Sequence, residues 1–403
     1  MHASLLRPRA VRAPACLLGT AVLISSLAFA ADAHAGGTDL GDVRFTWGGY
    51  IKLDTLYSRY SDGPAAQNLG RDAYIPNQIP VNADGSPRSY VDFHAKETRL
   101  YLKAETLVEG HKLGGHVEFD FIVNQGAANE ITSNAYNAGL RRAFITFDDW
   151  LIGQEWTTFQ NMTALPDVLD LVNFPTEGTV FIRQPMLRYT HGGFMFAIEN
   201  PESTIAPNGG GPAFTNTDEN NSIPDLIARY NFKVGGADLS IAGLARQIVD
   251  KGALDGGDDQ AWGYGASFAG KVQLGESDDV RFMLNGGDGV GRYLALNTVG
   301  DAVIDEQGDL ETLRIVNGYL VHHHVWTPKI RSNEGISHFD ADVGGGNLGG
   351  ATTKKVSNAF VNLIYAPVKP FWVGAELRYA ERETLAGLKG DLWRLQFSAK
   401  YSF

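Results

Sequence analysis

Residues 44 to 58, RFTWGGYIKLDTLYS, alternate from end to end. Phe45, Trp47, Gly49, Ile51, Leu53, Thr55 and Tyr57 share one side, and Arg44, Thr46, Tyr50, Lys52 and Asp54 the other. The same period of two runs through SNAFVNLIYAP (Ala359, Val361, Leu363, Tyr365), FWVGAELRYAERE (Phe371, Val373, Ala375, Leu377, Tyr379) and the closing WRLQFSAKYSF (Trp393, Leu395, Phe397, Ala399, Tyr401, Phe403). The charges Arg44, Lys52, Asp54, Glu376, Arg378, Arg394 and Lys400 fall on the second side. One apolar and one polar face is what a half-buried β-strand requires.

Extended along the chain, the pattern predicts strands near 44–57, 92–107, 112–123, 139–148, 150–156, 182–190, 193–200, 224–234, 237–247, 259–272, 279–288, 311–326, 329–339, 356–366, 370–383 and 392–403. The count is about sixteen, and it is even. The connections alternate between short turns (EGHK, DDW, HGG, VGG, GESDD, TPK, VKP) and long loops over roughly 58–91, 124–138, 157–181, 201–223, 248–258, 289–310, 340–355 and 384–391. An even strand number with loops sorted by length is the pattern of a transmembrane antiparallel β-barrel, with turns at one membrane face and loops at the other. A secreted sandwich or solenoid has no reason to sort its loops in this way. Aromatics on the apolar parity, Trp47, Tyr57, Phe119, Phe121, Tyr189, Tyr230, Tyr365, Tyr379 and Tyr401, are placed to form interfacial girdles.

Composition agrees once the barrel is considered. A mean hydropathy of −0.16 with 44% hydrophobic residues resembles a soluble protein, as it does for a barrel that is apolar only at alternate positions. The N-terminus carries Arg7, Arg9 and Arg12, an apolar run from Ala15 to Phe29 and small residues at Ala28, Ala30, Ala33 and Ala35. This is the layout of a secretory signal peptide over 1–35, cleaved after Ala30 or Ala35, with a single barrel domain over 36–403. Cys16 lies within the run, so the mature chain has no cysteine and no disulfide or thiol chemistry. Removing the signal takes 34 basic and 46 acidic residues to 31 and 45, a net charge of −14. Nucleic acid is thereby an unfavourable partner. No helix-spanning apolar run follows the signal, so any crossing of a membrane is by strands.

The third long connection, WTTFQNMTALPDVLDLVNFPTEGTVFI, lacks Lys and Arg but carries Asp167, Asp170 and Glu177. Within it, LPDVLDLVNF reads as a short helix with Leu165, Leu169 and Val172 on one side. An apolar-sided loop needs a place to bury that side; folding into the lumen as a constriction is one answer, packing on a neighbouring subunit another. Arg99, Lys103, Arg141, Arg188, Arg229, Arg246, Arg281, Arg331, Arg378 and Arg394 have inward parity, as do Asp54, Glu118, Asp120, Glu199 and Glu376. Guanidiniums facing an acidic loop would set a transverse field that favours carboxylates.

GGYIKLDTLYS, LRRAF, WLIGQEWTTFQNMTALPDVLDLVNFPTEGTVFIRQPMLRYT, AIENPES, IPDLIARYNF, HHHVWTPKIRSN and GAELRYAERE together resemble the DcaP-like trimeric porins of Gram-negative outer membranes, over nearly the whole mature chain. The block from Trp150 to Thr190 is the most specific part. The resemblance implies a homotrimer of sixteen-stranded barrels in the outer membrane, a constriction shaped by the third loop, and passive uptake of small anionic solutes such as dicarboxylates or aromatic carboxylates. Arg141, Arg183 and Arg188 fall inside the matching blocks and are the first choices for the constriction, with Arg99 and Arg229 beside them and Asp167, Asp170 and Glu177 opposite. Some members carry a coiled coil before the barrel that is not found in this sequence, so trimerisation is expected to rest on barrel walls and loops. The terminal Phe403, with Tyr401, looks like the signal read by the outer-membrane assembly machinery.

Other chemistry is weaker. His322 and His324 of the HHH run share a strand face and His323 does not, so the three cannot chelate one ion, and no metal or cofactor is expected. His94, His116, His191 and His338 are scattered and no GxSxG occurs, which leaves an outer-membrane hydrolase with little support. The Gly and Asp runs DGGDD and GGG (209 to 211, 344 to 346) lack calcium or phosphate spacing. A barrel with a plugged pore, serving structure or adhesion, is the remaining alternative to a channel.

Overall fold

The structure, a computed structural model, describes residues 36–66, 69–82, 85–122, 132–170, 175–210, 215–216, 221–252, 258–343 and 347–403. The signal peptide lies outside these residues, as do parts of the predicted helix (171–174) and of the Gly and Asp runs.

Sixteen antiparallel strands close into a barrel: β1 (Val43–Tyr60), β2 (Arg88–His94 and Arg99–Val108), β3 (His111–Asp120), β4 (Gly139–Phe147), β5 (Trp150–Trp156), β6 (Arg183–His191), β7 (Phe194–Glu199), β8 (Asp225–Val234), β9 (Ala237–Lys251), β10 (Asp258–Leu274), β11 (Asp278–Asp288), β12 (Arg314–Thr327), β13 (Ile330–Asp342), β14 (Thr353–Val368), β15 (Phe371–Thr384) and β16 (Lys389–Ser402). The last strand pairs with the first, from Tyr50↔Ser402 to Tyr60↔Leu392, so no edge is left open there. Beyond the end of β16, the short strand Gly36–Leu40 covers the start of β1. The predicted strand over 92–107 is corrected in one respect: β2 is broken at residues 95–98, its first piece pairing with residues 54–60 of β1 and its second with residues 43–50.

The outward faces follow the alternation. Ile51 and Phe397 are 55% and 52% exposed, whereas Lys52, Asp54 and Arg394 are at 2%, 0% and 1%. Exposed Trp47, Trp150, Tyr230, Trp326, Tyr365 and Tyr401 lie near the short turns, and Tyr57, Trp262, Tyr264 and Trp393 near the loop ends, giving two aromatic bands. Of the other predicted girdle residues, Phe119, Tyr189 and Tyr379 are half-buried, as is Phe121, which lies past the end of β3.

The inward face departs from expectation. On β12 the inward residues Ile315, Tyr319 and Val321 are apolar and buried, and so are Met283, Phe339, Val356 and Phe360 on neighbouring strands. They pack with Trp156, Phe159, Leu165, Val168, Tyr293, Leu294, Val299 and Leu313 in one core that lies inside the barrel. Loops supply its other half. Numbering the long connections L1 to L8, L3 (157–182) and L6 (289–313) fold inward onto β9–β14, and L1 (61–87) buries Tyr74 and Ile79 against β15 and β16. An exclusively polar lumen wall is therefore not formed, because half of it carries loops instead of water.

Candidate constriction site

L3 leaves β5 and circles the inner wall. At its root Arg188 donates to the Thr158 hydroxyl (2.8 Å) and the Trp156 carbonyl, and Arg229 to the Thr158 (3.2 Å) and Gln160 carbonyls. Asn161 then reaches Ser240 on β9, and Tyr319 on β12 donates to the Ala164 carbonyl (2.9 Å). Arg281 of β11 holds the Leu165 carbonyl (2.7 Å), and Asn362 of β14 the Asp167 carbonyl (2.9 Å). The tip spans β15, β16 and β1: the Leu169 amide donates to Glu376 (2.9 Å), while Lys52 and Gln396 donate to its carbonyl (2.6 and 2.7 Å).

These bonds explain why the helix predicted over 165–174 is absent from its described residues 165–170, which are irregular between two 3₁₀ turns, Met162–Ala164 and Thr176–Gly178. Wall side chains take the backbone groups that a helix would pair internally, so periodicity is overridden. Leu165, Val168 and Leu169 are still buried, against the wall.

The acids of L3 are directed at the same wall. Asp167 meets Arg331 at 2.6 Å, Asp170 accepts from the Tyr74 amide at 3.0 Å with Arg394 at 3.6 Å, and Glu177 accepts from Ser337. Asp170 and Glu177 are fully buried. The expected acidic lip opposite the guanidiniums is thus reduced to Asp167, itself paired.

Among the described residues, L3 beyond its root leaves the arc from β2 to β6 uncovered. There Arg141 donates to Glu118 (2.9 Å) and Asp120 (2.5 Å), and Arg99 lies 3.2 Å from Asp120. Arg142 pairs with Glu155 and stands 3.6 Å from Glu118. With Ile145 and Phe147 outward, strict alternation would place Arg142 inward and send Arg141 into the apolar exterior. A register shift at Glu118/Phe119 inserts one residue in β4, so that two consecutive arginines face the lumen. The doubled RR was the only trace of this in the sequence.

Arg183 lies over the Trp156 ring at 4.9 Å, and Arg141 approaches the same ring at 6.0 Å. Among the described residues Arg183 makes no ion pair, and its Nη1 is buried without a hydrogen-bond partner. Four guanidiniums thus share three carboxylates, Glu118, Asp120 and Glu155. Lys400, also inward and not singled out from sequence as a site residue, sits 3.8 Å from the centre of the Tyr50 ring and, among the described residues, has no carboxylate at ion-pair distance. Of the expected constriction residues, the fold thus gathers Arg99, Arg141 and Arg183 on the open arc. It assigns Arg188 and Arg229 to the root of L3.

The family model described as DcaP outer membrane protein matches residues 42–403. Among solved structures, the outer membrane channel DcaP of Acinetobacter baumannii aligns at TM-score 0.74 and 24% identity, covering 92% of this chain and 100% of that one. The anion-selective porin of Comamonas acidovorans aligns at 0.55 and 12% identity, over 90% and 100%. OmpT of Vibrio cholerae aligns at 0.55 and 11%, over 91% and 100%. No curated protein matches the chain.

Proposed function

The chain belongs to the DcaP outer membrane protein family, a family of outer-membrane channels, and from that premise we propose that it is a passive diffusion channel for small hydrophilic anions, dicarboxylates and aromatic carboxylates among them. The observation that carries the anion preference is the surplus of fixed positive charge on the open arc, Arg183 beside Arg99, Arg141 and Arg142, with Lys400 further along the wall. Arginine offers a carboxylate two parallel donors.

The working unit in this reading is a homotrimer in outer-membrane lipid, inserted by the assembly machinery after export on residues 1–35. N-terminal sequencing of the mature protein should begin at Ala31 or Gly36; retention of Met1 would sink the export scheme.

In planar bilayers, purified protein under a salt gradient should show a reversal potential on the anion side. Arg183→Ala and Lys400→Ala should each lower the anion over cation permeability ratio, and an unchanged potential in both would reject their role. One observation favours a second reading: L1, L3 and L6 fill much of the lumen, as a plugged barrel would require. Such a barrel would give no conductance in the same experiment. No covalent chemistry is part of the proposal. The His338 to Ser357 hydrogen bond (2.9 Å) lies on the exterior, and among the described residues no carboxylate orients the ring; a hydrolase there should release product from lipid, and the channel should not.

A further inference from the structure

At the turn end of the barrel, four ionisable side chains occupy outward positions that elsewhere carry apolar residues. His322 and His324 stand on β12, continuing the row of exposed Val316 and Leu320; Asp278 is on β11 and Glu334 on β13. Register brings them together. Asp278 is the direct partner of His324, and Glu334 that of His322. His322 Nε2 lies 2.9 Å and His324 Nδ1 2.6 Å from the same oxygen, Asp278 Oδ1. The three donor atoms are all within 4.8 Å of one another. On its other side His322 Nδ1 is 2.7 Å from Glu334 Oε1. His323 points the opposite way, to Asp279 at 2.8 Å.

The geometry points to a divalent transition-metal site built from His322 Nε2, His324 Nδ1 and Asp278 Oδ1, with Glu334 as the carboxylate that orients His322. Two imidazoles and one carboxylate suit zinc, nickel or copper ions, in contrast to magnesium and calcium, which prefer oxygen donors. The donors are already directed at one point. Ligands about 2 Å from a tetrahedral ion stand ~3.3 Å apart, so a small rotation of two half-exposed rings opens the pairs enough to admit it. His322 would then bind through Nε2 and keep its Nδ1 proton on Glu334, the pairing that fixes tautomer and direction in metal-binding histidines. The fourth position is open on the outer side of the barrel: the side chains of His322, His324 and Asp278 are 38%, 26% and 31% exposed. Trp326 packs edge-on against His324, ring centres 4.3 Å apart, and is held by a bond from its Nε1 to Ser332 (3.0 Å). It therefore reports on the site. An ion there would tie β11 to β12 at the rim of the barrel.

The test is isothermal titration of zinc chloride into the purified, chelator-stripped full chain in detergent, with copper(II) quenching of Trp326 fluorescence in parallel. One zinc per chain is expected, undisturbed by excess magnesium. Glu334→Gln should weaken it roughly tenfold, and the paired change His322→Ala/His324→Ala should abolish it, while His323→Ala keeps it. Folding of each variant is checked by its heat-modifiable mobility in electrophoresis. Equal zinc binding by wild type and by the folded double variant would overturn the site, as would an equal loss in His323→Ala.

Discussion

Asp167 ties the tip of L3 to β13 through Arg331, and it is the only acid of that loop with a third of its side chain exposed. Burial alone pushes its carboxyl up, but the Arg331 guanidinium outweighs this and holds the group below the ordinary carboxylate value. For a depressed group, the stabilising contribution is present above the ordinary pKa and is lost as pH falls through the depressed one. Asp167→Asn is therefore expected to alter conductance by the same factor at about pH 7 and about pH 5, the ordinary carboxylate range lying lower still. Single-channel recording across that interval checks it, and a difference that vanishes by pH 5 would contradict the pairing. Neighbouring residues mark the limit of reading side chains by parity. Arg141, assigned inward from its position in the alternation, reaches the lumen through the shift at Glu118/Phe119, whereas Arg142 faces Glu118 in the regular ladder of β4. Nothing in LRRAF says which register the partner strand takes.

At the scale of elements, L3 behaves as an inner lining. Its return arm rests on polar side chains of β11 to β13: Asn317 donates to the Glu177 carbonyl (2.8 Å), and Asn285 donates to Asn317 (2.9 Å). Close approach matters as well, since a Cβ on Gly178 would stand 2.5 Å from the Gly318 carbonyl oxygen. Asn317→Ala should leave the Glu177 carbonyl buried without that donor, at a cost of about 1–3 kcal/mol. The expected result is a looser L3, seen as higher mean conductance with more gating noise, in a barrel whose strand content by circular dichroism is unchanged; identical traces would show that L3 is held elsewhere. That the third loop has an apolar side was legible from Leu165 and Leu169, both buried, while Val172 lies outside the described residues. The loop's conformation was not, because the partners of its backbone, Arg281, Asn362, Glu376 and Gln396, come from strands 110 or more residues later.

For the whole molecule, closure is the decisive event. Beyond the β1–β16 ladder, the Phe403 amide donates to the Gly49 carbonyl and the Gly49 amide to the Phe403 carbonyl, both at 3.0 Å. Deleting Phe403 removes both seam bonds together with an exterior aromatic. Assembled, heat-modifiable barrel is expected to fall in yield while the channels that do form conduct as wild type, and normal yield would count against an assembly role. Strand number, the order of short turns and long loops, and the lipid-facing side of most strands were determined by the sequence alone. The reason is local: a period of two repeated sixteen times, punctuated by Gly, Asp and Pro, leaves one way to bury the apolar side of each strand. Only the tertiary structure decided that L1 and L6 join L3 in the lumen, that β9 to β14 turn buried apolar side chains as well as polar ones toward those loops, and that Arg99, Arg141, Arg142 and Arg183 share one arc of the wall. Those outcomes depend on which loop reaches which wall, a matter of contacts far apart in the chain that alternation along a single strand does not encode.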